Sequence, residues 1–344
     1  METENKKERI LTGMRPTGPL HLGHYVGALE NWLKLQEQYD CYFLIADYQA
    51  LGDYAEDVGR IRKSVIDVTL DWLSVGLDPR RSTFVIQSYV PEHAELFMLL
   101  SMITPVGMLE RNPTLKSEME RLKEISLGFY NYPASQVADI LLPKANLVPV
   151  GEDQVPHIEL TREIARKFNR IYGTVFPEPK ALVGRIPRMV GTDGKAKMSK
   201  SLGNCINLSD DEQTVAKKVK KMYTDPTRAK ATDPGHIEGN VVFIYLDAFY
   251  SDKEKMEELK GLYRQGKVGD AETKDLLTKT LNDFLEPIRE KRAYYLSHPE
   301  EVRSALIEGT AKARKTAQAT IIEVREAMKI TGYEDIKNIQ KNQE

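Results

Sequence analysis

Hydrophobic residues in the first part of the chain form short, nearly continuous runs that are separated by longer stretches of mixed polarity. Such runs occupy 41–46, 83–87 and 148–150, and a further short one at 10–13 ends in a turn. Strands of a parallel sheet have this character because helices cover both of their faces. The stretches between them carry apolar residues at helical spacing, as in 157–168. The alternation predicts an α/β fold built on a doubly wound parallel sheet.

Beyond about Ser209 the pattern predicts helices only, so strands are expected in the first two thirds of the chain. The clearest helical segments there are 254–267, 272–296 and 309–330. We therefore expect two units along the chain. The first is an α/β domain at 1–208 with an inserted helical segment at about 90–130, and the second is an all-helical domain at 209–344.

Composition agrees with a folded protein of ordinary type. The chain has 344 residues, of which 41% are hydrophobic and 29% charged, enough for a large core and two structural units. No apolar run is long enough for a membrane span, and the polar start, METENKKER, lacks the apolar stretch of a signal peptide. With only two cysteines, these features predict a cytoplasmic protein without membrane contact.

Nine residues near the amino terminus combine a turn rich in Gly and Pro with two histidines. They run from Pro16 to His24 and read PTGPLHLGH. If a helix begins near Tyr25, His21 and His24 face one another across its first turn, beside backbone N–H groups. Helix amino termini attract anions, and imidazole can donate a hydrogen bond to a phosphoryl oxygen. Gly23, between the histidines, leaves room for an adenine or ribose against the backbone.

A second polar motif, Lys197-Met198-Ser199-Lys200-Ser201, lies past the middle of the chain. Phosphoryl chemistry depends on positioning and charge stabilisation, and lysines on a small loop can follow a leaving pyrophosphate. Taken singly, each motif is more often an ordinary turn or a solvated loop. Their occurrence together predicts adenylation by ATP.

The residues from Tyr132 to Asp139 read YPASQVAD and predict a helix in which Pro133 takes the first position. Tyr132, Gln136 and Asp139 then share one face, either lining a site or simply reaching solvent. A short distance on, the strand at 148–150 runs into a turn with Glu152, Asp153 and Gln154. Polar groups just past the carboxyl end of such a strand lie where open α/β sheets bind ligands.

In this order, the two polar motifs resemble the HIGH and KMSKS signatures of class I aminoacyl-tRNA synthetases. Three stretches make the resemblance specific to the tryptophanyl-tRNA synthetase family, and they lie at 11–29, 132–142 and 148–165. The resemblance implies a Rossmann-type catalytic domain, a helical domain that recognises the anticodon, and ATP with Mg²⁺. It also implies L-tryptophan and tRNA(Trp) as substrates. A homodimer is implied as well, with 96–103 either at the interface or in the core.

The resemblance further implies roles for individual residues. The catalytic set would be His21, His24, Lys197 and Lys200. The nucleotide site would contain Arg15, Pro16, Thr17, Gly23, His24, Gly151, Glu152, Asp153, Ile186, Lys197, Met198, Ser199, Lys200 and Ser201. Tryptophan would be bound by Tyr132, Gln136, Asp139 and Gln154, with Asp139 accepting the indole N–H and with Tyr132 and Gln154 holding the α-amino group.

Two alternatives stay open. Tyrosyl-tRNA synthetases share the Tyr-x-x-x-Gln-x-x-Asp face, and a tRNA-binding relative without catalysis would share the fold. The chain also departs from the pattern of many bacterial members, which carry histidine where Gln49 stands. Cys41 and Cys205 lack the spacing for the iron–sulfur cluster of some members, so no metal site is expected.

Basic residues cluster in the second half of the chain although the formal net charge is −2. The clusters lie at 217–221, 227–230 and 312–315. Each is either a local stripe that contacts tRNA or a solvated helix face.

Overall fold

The computed structural model describes residues 7–330 except 121, 185–188, 223–224, 226–227, 229 and 231, and also residue 332. Its strands are β1 (Arg9–Met14), β2 (Asp40–Ile45), β3 (Thr83–Ile86), β4 (Leu147–Val150) and β5 (Lys180–Val183). Its α-helices are α1 (Leu22–His24), α2 (Glu30–Gln38), α3 (Asp47–Tyr54), α4 (Val58–Val75), α5 (Glu92–Ser101), α6 (Val106–Glu110), α7 (Pro113–Met119), α8 (Leu127–Leu141), α9 (Val155–Tyr172), α10 (Glu212–Lys220), α11 (Val241–Phe249), α12 (Lys253–Arg264), α13 (Asp270–Ser297) and α14 (Pro299–Ala327). A π-helical turn (Tyr25–Leu29) and two 3₁₀ turns (Gln87–Tyr89 and Glu152–Gln154) complete the set.

The five strands form one parallel sheet in the order β3-β2-β1-β4-β5. The order reverses between β1 and β4, and a crevice opens at the carboxyl ends of strands at such a point. The predicted Rossmann-type sheet is therefore confirmed. The inserted segment is helical, since α5 to α8 lie between β3 and β4.

Strand β2 shows why its sequence is apolar throughout. Cys41 and Phe43 pack into the core on one face of the sheet, and Tyr42 and Leu44 into the core on the other. Phe43 is completely buried and stacks on Trp32, with ring centroids 4.9 Å apart. Fully burying a side chain of this size stabilises the fold by about 1.5–3 kcal/mol. Helices on both faces thus explain the absence of polar alternation.

The carboxyl-terminal helices return to the sheet. Helix α13 packs along α4, and α14 lies against the edge strand β3. A Cβ atom at Gly309 would lie 2.3 Å from the Phe84 carbonyl oxygen, so the approach of α14 requires glycine there. Thr310 Oγ1 accepts the Ile86 N–H at 3.1 Å. Helix α14 thus covers a sheet edge that would otherwise be open to pairing.

Three predicted helix starts were wrong, and one of them is that of the segment 309–330, which belongs to a helix, α14, that begins at Pro299. The helix that holds Asp139 begins at Leu127, with Ser126 capping it by accepting the Phe129 N–H, so Pro133 lies inside the helix. The serine cap and the apolar residues after it fixed the start, although the proline cannot donate to the preceding turn. The helix expected near Tyr25 begins earlier, at Leu22.

Both cysteines are free and buried, and burial raises the pKa of Cys41 to about 12, so it remains a thiol. Among the helices in the described ranges, none has the length and apolar character that crossing a bilayer requires.

Candidate active site

A cavity of about 1160 Å³ opens at the carboxyl ends of β1 and β4. Helix α8 contributes Tyr132, Gln136 and Asp139 to its lining, and the turn after β4 contributes Gly151 and Gln154. Apolar residues on the other side of α8, such as Val137 and Leu141, are buried in the core. The helical spacing therefore brings the predicted polar face together at one cavity.

Asp139 is 2% exposed, and neutral amide donors hold its carboxylate. Gln49 Nε2 donates to Oδ2 at 2.8 Å, and Gln87 Nε2 donates to Oδ1 at 2.7 Å. His93 Nδ1 lies 2.9 Å from Oδ1, although its orientation is not that of a hydrogen bond. A carboxylate has about four acceptor positions, so room remains for a donor from a ligand.

Tyr132 belongs to a chain of hydrogen bonds at the rim of this cavity. Its hydroxyl donates to Glu118 at 2.8 Å and lies 3.1 Å from His157 Nε2, while Asn112 Nδ2 lies 3.2 Å from His157 Nδ1. Burial, followed by the Glu118 contact, raises the pKa of the Tyr132 hydroxyl, so it remains protonated. Burial lowers the pKa of His157 to about 4, so the imidazole is neutral and orients the tyrosine without adding charge.

A second, smaller cavity of about 520 Å³ adjoins the first and is lined in part by residues that were predicted to bind the nucleotide. Arg15, Thr17 and His24 line it together with Met14 and Tyr54. Met14 and Arg15 line both cavities, so the two spaces form one site.

His21 caps α1, and His24 is in its first turn. Their ring centroids are 3.8 Å apart. His24 Nδ1 accepts the His21 backbone N–H at 3.2 Å, which assigns the proton of a neutral His24 to Nε2. Burial, and then the neighbouring lysines, lower the pKa of His21 to about 4, and the same kinds of cause lower the pKa of His24 well below its ordinary value. Near neutral pH both rings are therefore uncharged, and His24 offers Nε2–H as a donor.

The lysine motif lies directly against the histidine motif. Met198 Sδ accepts the Gly23 N–H at 3.3 Å, and Lys200 Nζ donates to the Gly18 carbonyl at 2.7 Å. Asn204 Oδ1 accepts the Ser199 N–H at 2.8 Å and fixes the loop. Burial lowers the pKa of Lys200 to about 8. The motif thus places a cation beside the histidines and close to the charge an anionic ligand would carry.

Several predicted residues lie outside the cavities. Glu152 and Asp153 are exposed on the adjoining turn, and Lys197 and Ser201 are exposed on the loop. Pro16 is buried behind the turn. The predicted contact at Ile186 lies outside the described residues.

Other residues reach the site without having been singled out as functional. Gln87 and His93 surround Asp139, and Glu118 meets Tyr132. Arg60 stacks on Tyr54 and donates to the Thr17 carbonyl at 3.0 Å. None of them belongs to a local motif, because each reaches the site from a distant part of the chain.

Comparison with known proteins places the chain among relatives over nearly its full length. The family model described as tRNA synthetases class I (W and Y) matches residues 3–286. A tryptophan–tRNA ligase of Clostridium longisporum is 50% identical over 338 residues, which cover 96% of this chain and 99% of that protein. The corresponding ligase of Chlamydia caviae is 49% identical over 336 residues, covering 95% and 97%.

Solved structures agree with the sequence matches. The tryptophanyl-tRNA synthetase of Campylobacter jejuni complexed with ADP and tryptophan is 36% identical, with a TM-score of 0.85 and coverage of 94% of this chain and 100% of that one. The tyrosyl-tRNA synthetase of Archaeoglobus fulgidus complexed with L-tyrosine is 25% identical, with a TM-score of 0.66 and coverage of 85% and 92%. The sheet order, the paired motifs and these matches together show that the chain belongs to the class I tRNA synthetases of the tryptophan and tyrosine group.

Proposed function

We propose that this chain is a tryptophan–tRNA ligase. It activates L-tryptophan with ATP to tryptophanyl-adenylate, which releases pyrophosphate, and transfers the tryptophanyl group to the 3′ end of tRNA(Trp), which releases AMP. The observation that carries the proposal is the single site in which the buried Asp139 lines one cavity, His24 lines the next, and Lys200 contacts Thr17 in the wall of that second cavity. The two relatives at about half identity, which are tryptophan–tRNA ligases, support the choice of amino acid.

In the first step, a carboxylate oxygen of tryptophan attacks the α-phosphorus of ATP. A bond forms between them, and the bond from the α-phosphorus to the bridging oxygen breaks, releasing pyrophosphate. His24 donates from Nε2 to the α-phosphoryl oxygens, with His21 beside it, while Lys197 and Lys200 stabilise the departing charge. No side chain acts as a nucleophile, so the catalysis is electrostatic and positional.

Lys200 is partly buried against Gly18 and Thr17, whereas Lys197 is exposed. We propose that the loop rearranges when ATP binds, so that both ammonium groups reach the phosphates. Met198, Ser199 and Ser201 move with the loop. Such closure is common where a leaving group must be followed.

Nucleotide and amino acid occupy adjoining parts of the site. The nucleotide contacts Arg15, Thr17 and Gly23, and Pro16 shapes the turn in which it lies. The ribose contacts Gly151, Glu152 and Asp153.

Tryptophan is held in the other part of the site. Its α-amino group is held by Tyr132 and Gln154, and its indole N–H is accepted by Asp139. Gln136 lines the same face. The proximity of Glu118 to Tyr132 adds negative potential where an ammonium group would lie.

We propose that Mg²⁺ arrives with ATP, on its phosphates, where it neutralises charge. Within the ranges that the structure describes, no three or more His, Cys, Asp or Glu side chains group closely enough to hold a metal ion. The protein's own contribution is then to position the phosphates that carry the ion.

We propose that residues 1–208 form the catalytic domain and 209–344 the helical domain that recognises the anticodon. Lys217, Lys220 and Lys221 are exposed and free to contact nucleic acid. Lys218 is ion-paired with Asp210 and is a weaker candidate. In the basic cluster at 227–230, residues 227 and 229 lie outside the described residues.

The test is exchange of pyrophosphate into ATP with tryptophan and tyrosine measured in parallel. Exchange with tryptophan alone is expected. Exchange with tyrosine would transfer the assignment to a tyrosine–tRNA ligase, in which Asp139 accepts a phenol O–H. Exchange with neither would leave a tRNA-binding protein without catalysis.

The efficiency with ATP, kcat/KM, is expected to fall as the pH rises through about 8. Lys200 has a pKa of about 8 in the free protein, so it carries its charge below that pH and loses it above. The two histidines should cause no further change of kcat/KM near neutral pH, because their pKa values are lowered and they are already uncharged. Exchange rates from pH 6 to pH 10 measure the profile.

Arginine keeps its charge throughout that range. The fall of kcat/KM at high pH should therefore be absent in Lys200→Arg, even if the overall rate of this variant is lower. If kcat/KM of Lys200→Arg still falls at the same pH, the titrating group is a residue other than Lys200.

We also propose a cytoplasmic homodimer, with α5 and the residues after it at the interface. Leu96 and Leu100 of α5 face the core, whereas Met98 and Met102 are 57% and 63% exposed. Val106 is 60% exposed and lies shortly beyond them in the chain. One side of the segment 96–103 is therefore buried in the core and the other side is exposed. The exposed side offers apolar residues to a partner.

Met102→Asp is expected to shift the protein from dimer to monomer, because the change places a charge in an apolar interface and leaves the core untouched. Sedimentation velocity across a concentration series measures the shift. Ile322→Asp on α14, which changes another exposed apolar residue, serves as the control and should leave the dimer intact. Equal behaviour of the two variants would exclude this surface as the interface.

A further inference from the structure

Leu20, which directly precedes His21, is held by a buried carboxylate. Asp71 on α4 has no solvent exposure, and its Oδ2 accepts the Leu20 N–H at 2.7 Å. On the other side of the chain, the Leu20 carbonyl accepts the Leu208 N–H at 2.9 Å. Both polar backbone groups of Leu20 are therefore fixed, and with them the start of the histidine motif.

The second oxygen of Asp71 faces the carboxyl-terminal part of the chain. Arg292 on α13 donates to Asp71 Oδ1 through Nη1, and its Nη2 lies 3.1 Å from Asp67 Oδ1. The Arg292 side chain is only 13% exposed. A buried carboxylate is costly without a partner, so the position of Asp71 depends on this guanidinium.

The electrostatic surroundings of Asp71 connect it with the lysine motif as well. Burial raises the pKa of Asp71 to about 6, while Arg292, the Leu20 N–H and Lys200 favour its charged form and Asp67 opposes it. In turn, Asp71 favours the charged form of Lys200. One carboxylate thus contacts the histidine motif, a helix of the carboxyl-terminal part and, through its field, Lys200.

We propose that Arg292 is a positioning residue for the activation step, acting through Asp71 to hold Leu20 and the histidine motif in place. Arg292 lies in the segment proposed to recognise tRNA, so a displacement of α13 is transmitted to the nucleotide site. The inference rests on the proposed function, since the activation reaction is its readout. Small misplacements of catalytic groups cost up to about 100-fold in rate.

The test compares five variants of the full-length protein, Arg292→Lys among them, by tryptophan-dependent ATP–pyrophosphate exchange. Arg292→Gln removes the ion pair, Asp71→Asn weakens the same link, and Asp67→Asn removes only the contact of Arg292 that does not lead to Leu20. Arg289→Gln is the matched control on α13, because Arg289 contacts Asn282 and the Asp210 carbonyl instead. Thermal unfolding of each variant monitors the fold.

Arg292→Gln and Asp71→Asn are expected to lower kcat about 10-fold or more, with the KM for tryptophan changed much less. Asp67→Asn and Arg289→Gln should keep the wild-type kcat, and Arg292→Lys should recover part of the loss. If Asp71→Asn does not fold, the contrast between Arg292→Gln and Asp67→Asn still decides. Equal losses in those two, or an unchanged kcat in Arg292→Gln, would overturn the inference. Absence of exchange in the wild-type protein would instead reject the proposed function.

Discussion

Lys200→Ala is expected to slow formation of tryptophanyl-adenylate by about 10²–10³-fold, the loss typical when one preorganised electrostatic group is removed from a transition state. The dissociation constant of tryptophan should change little, because Lys200 contacts Gly18 and Thr17 rather than the lining around Asp139. Single-turnover adenylate formation gives the rate, and equilibrium titration with tryptophan gives the affinity. Loss of rate without loss of affinity indicates an interaction made chiefly in the transition state.

Lys195→Ala is the matched control for this variant. Lys195 is exposed two residues before the lysine motif and carries the same charge, but it is not part of the proposed machinery. It should retain the wild-type rate. His24→Ala should follow Lys200→Ala, because both act on the same phosphates. Equal losses of rate and tryptophan affinity in Lys200→Ala would argue against a transition-state role.

Asp139→Asn is expected to reduce kcat/KM for tryptophan by about 10- to 150-fold, since a hydrogen bond to a charged acceptor contributes about 1.5–3 kcal/mol. The amide also carries only one acceptor oxygen, so its NH₂ group must face one of the two glutamine donors, Gln49 or Gln87, that now reach the carboxylate. The exchange assay gives the loss. The loss should be specific to substrates that bear an indole N–H.

A tryptophan analogue with sulfur in place of the indole N–H separates this role from a merely structural one. The wild-type protein should strongly prefer tryptophan over the analogue, whereas Asp139→Asn should prefer it much less. Glu163→Gln, which neutralises an exposed carboxylate on α9, should leave the preference as it is. A preference that survives intact in Asp139→Asn would show that another group recognises the indole N–H.

Local patterns in the chain were sufficient for the main motifs and for four of the five strands, whereas β5, whose residues are exposed or half-buried, was not predicted. Apolar runs predicted β2, β3 and β4 because burial on both faces leaves little place for polar residues in a parallel strand. Helical spacing brought Tyr132, Gln136 and Asp139 to one face, and they line one cavity. The start of that helix was wrong because a proline is also tolerated inside a helix when the surrounding structure supports it, as at Pro133.

The sequence by itself determined the alternation of the first four strands with helices, the family, and the residue types available for phosphate chemistry, since these depend on neighbours along the chain. Only the tertiary structure decided which distant groups support them: Gln87 meets Asp139 and Glu118 meets Tyr132. The link from Arg292 through Asp71 to Leu20 joins three distant segments. The physical reason is that a buried polar group must find its partner wherever packing places one, and no local spacing records that choice.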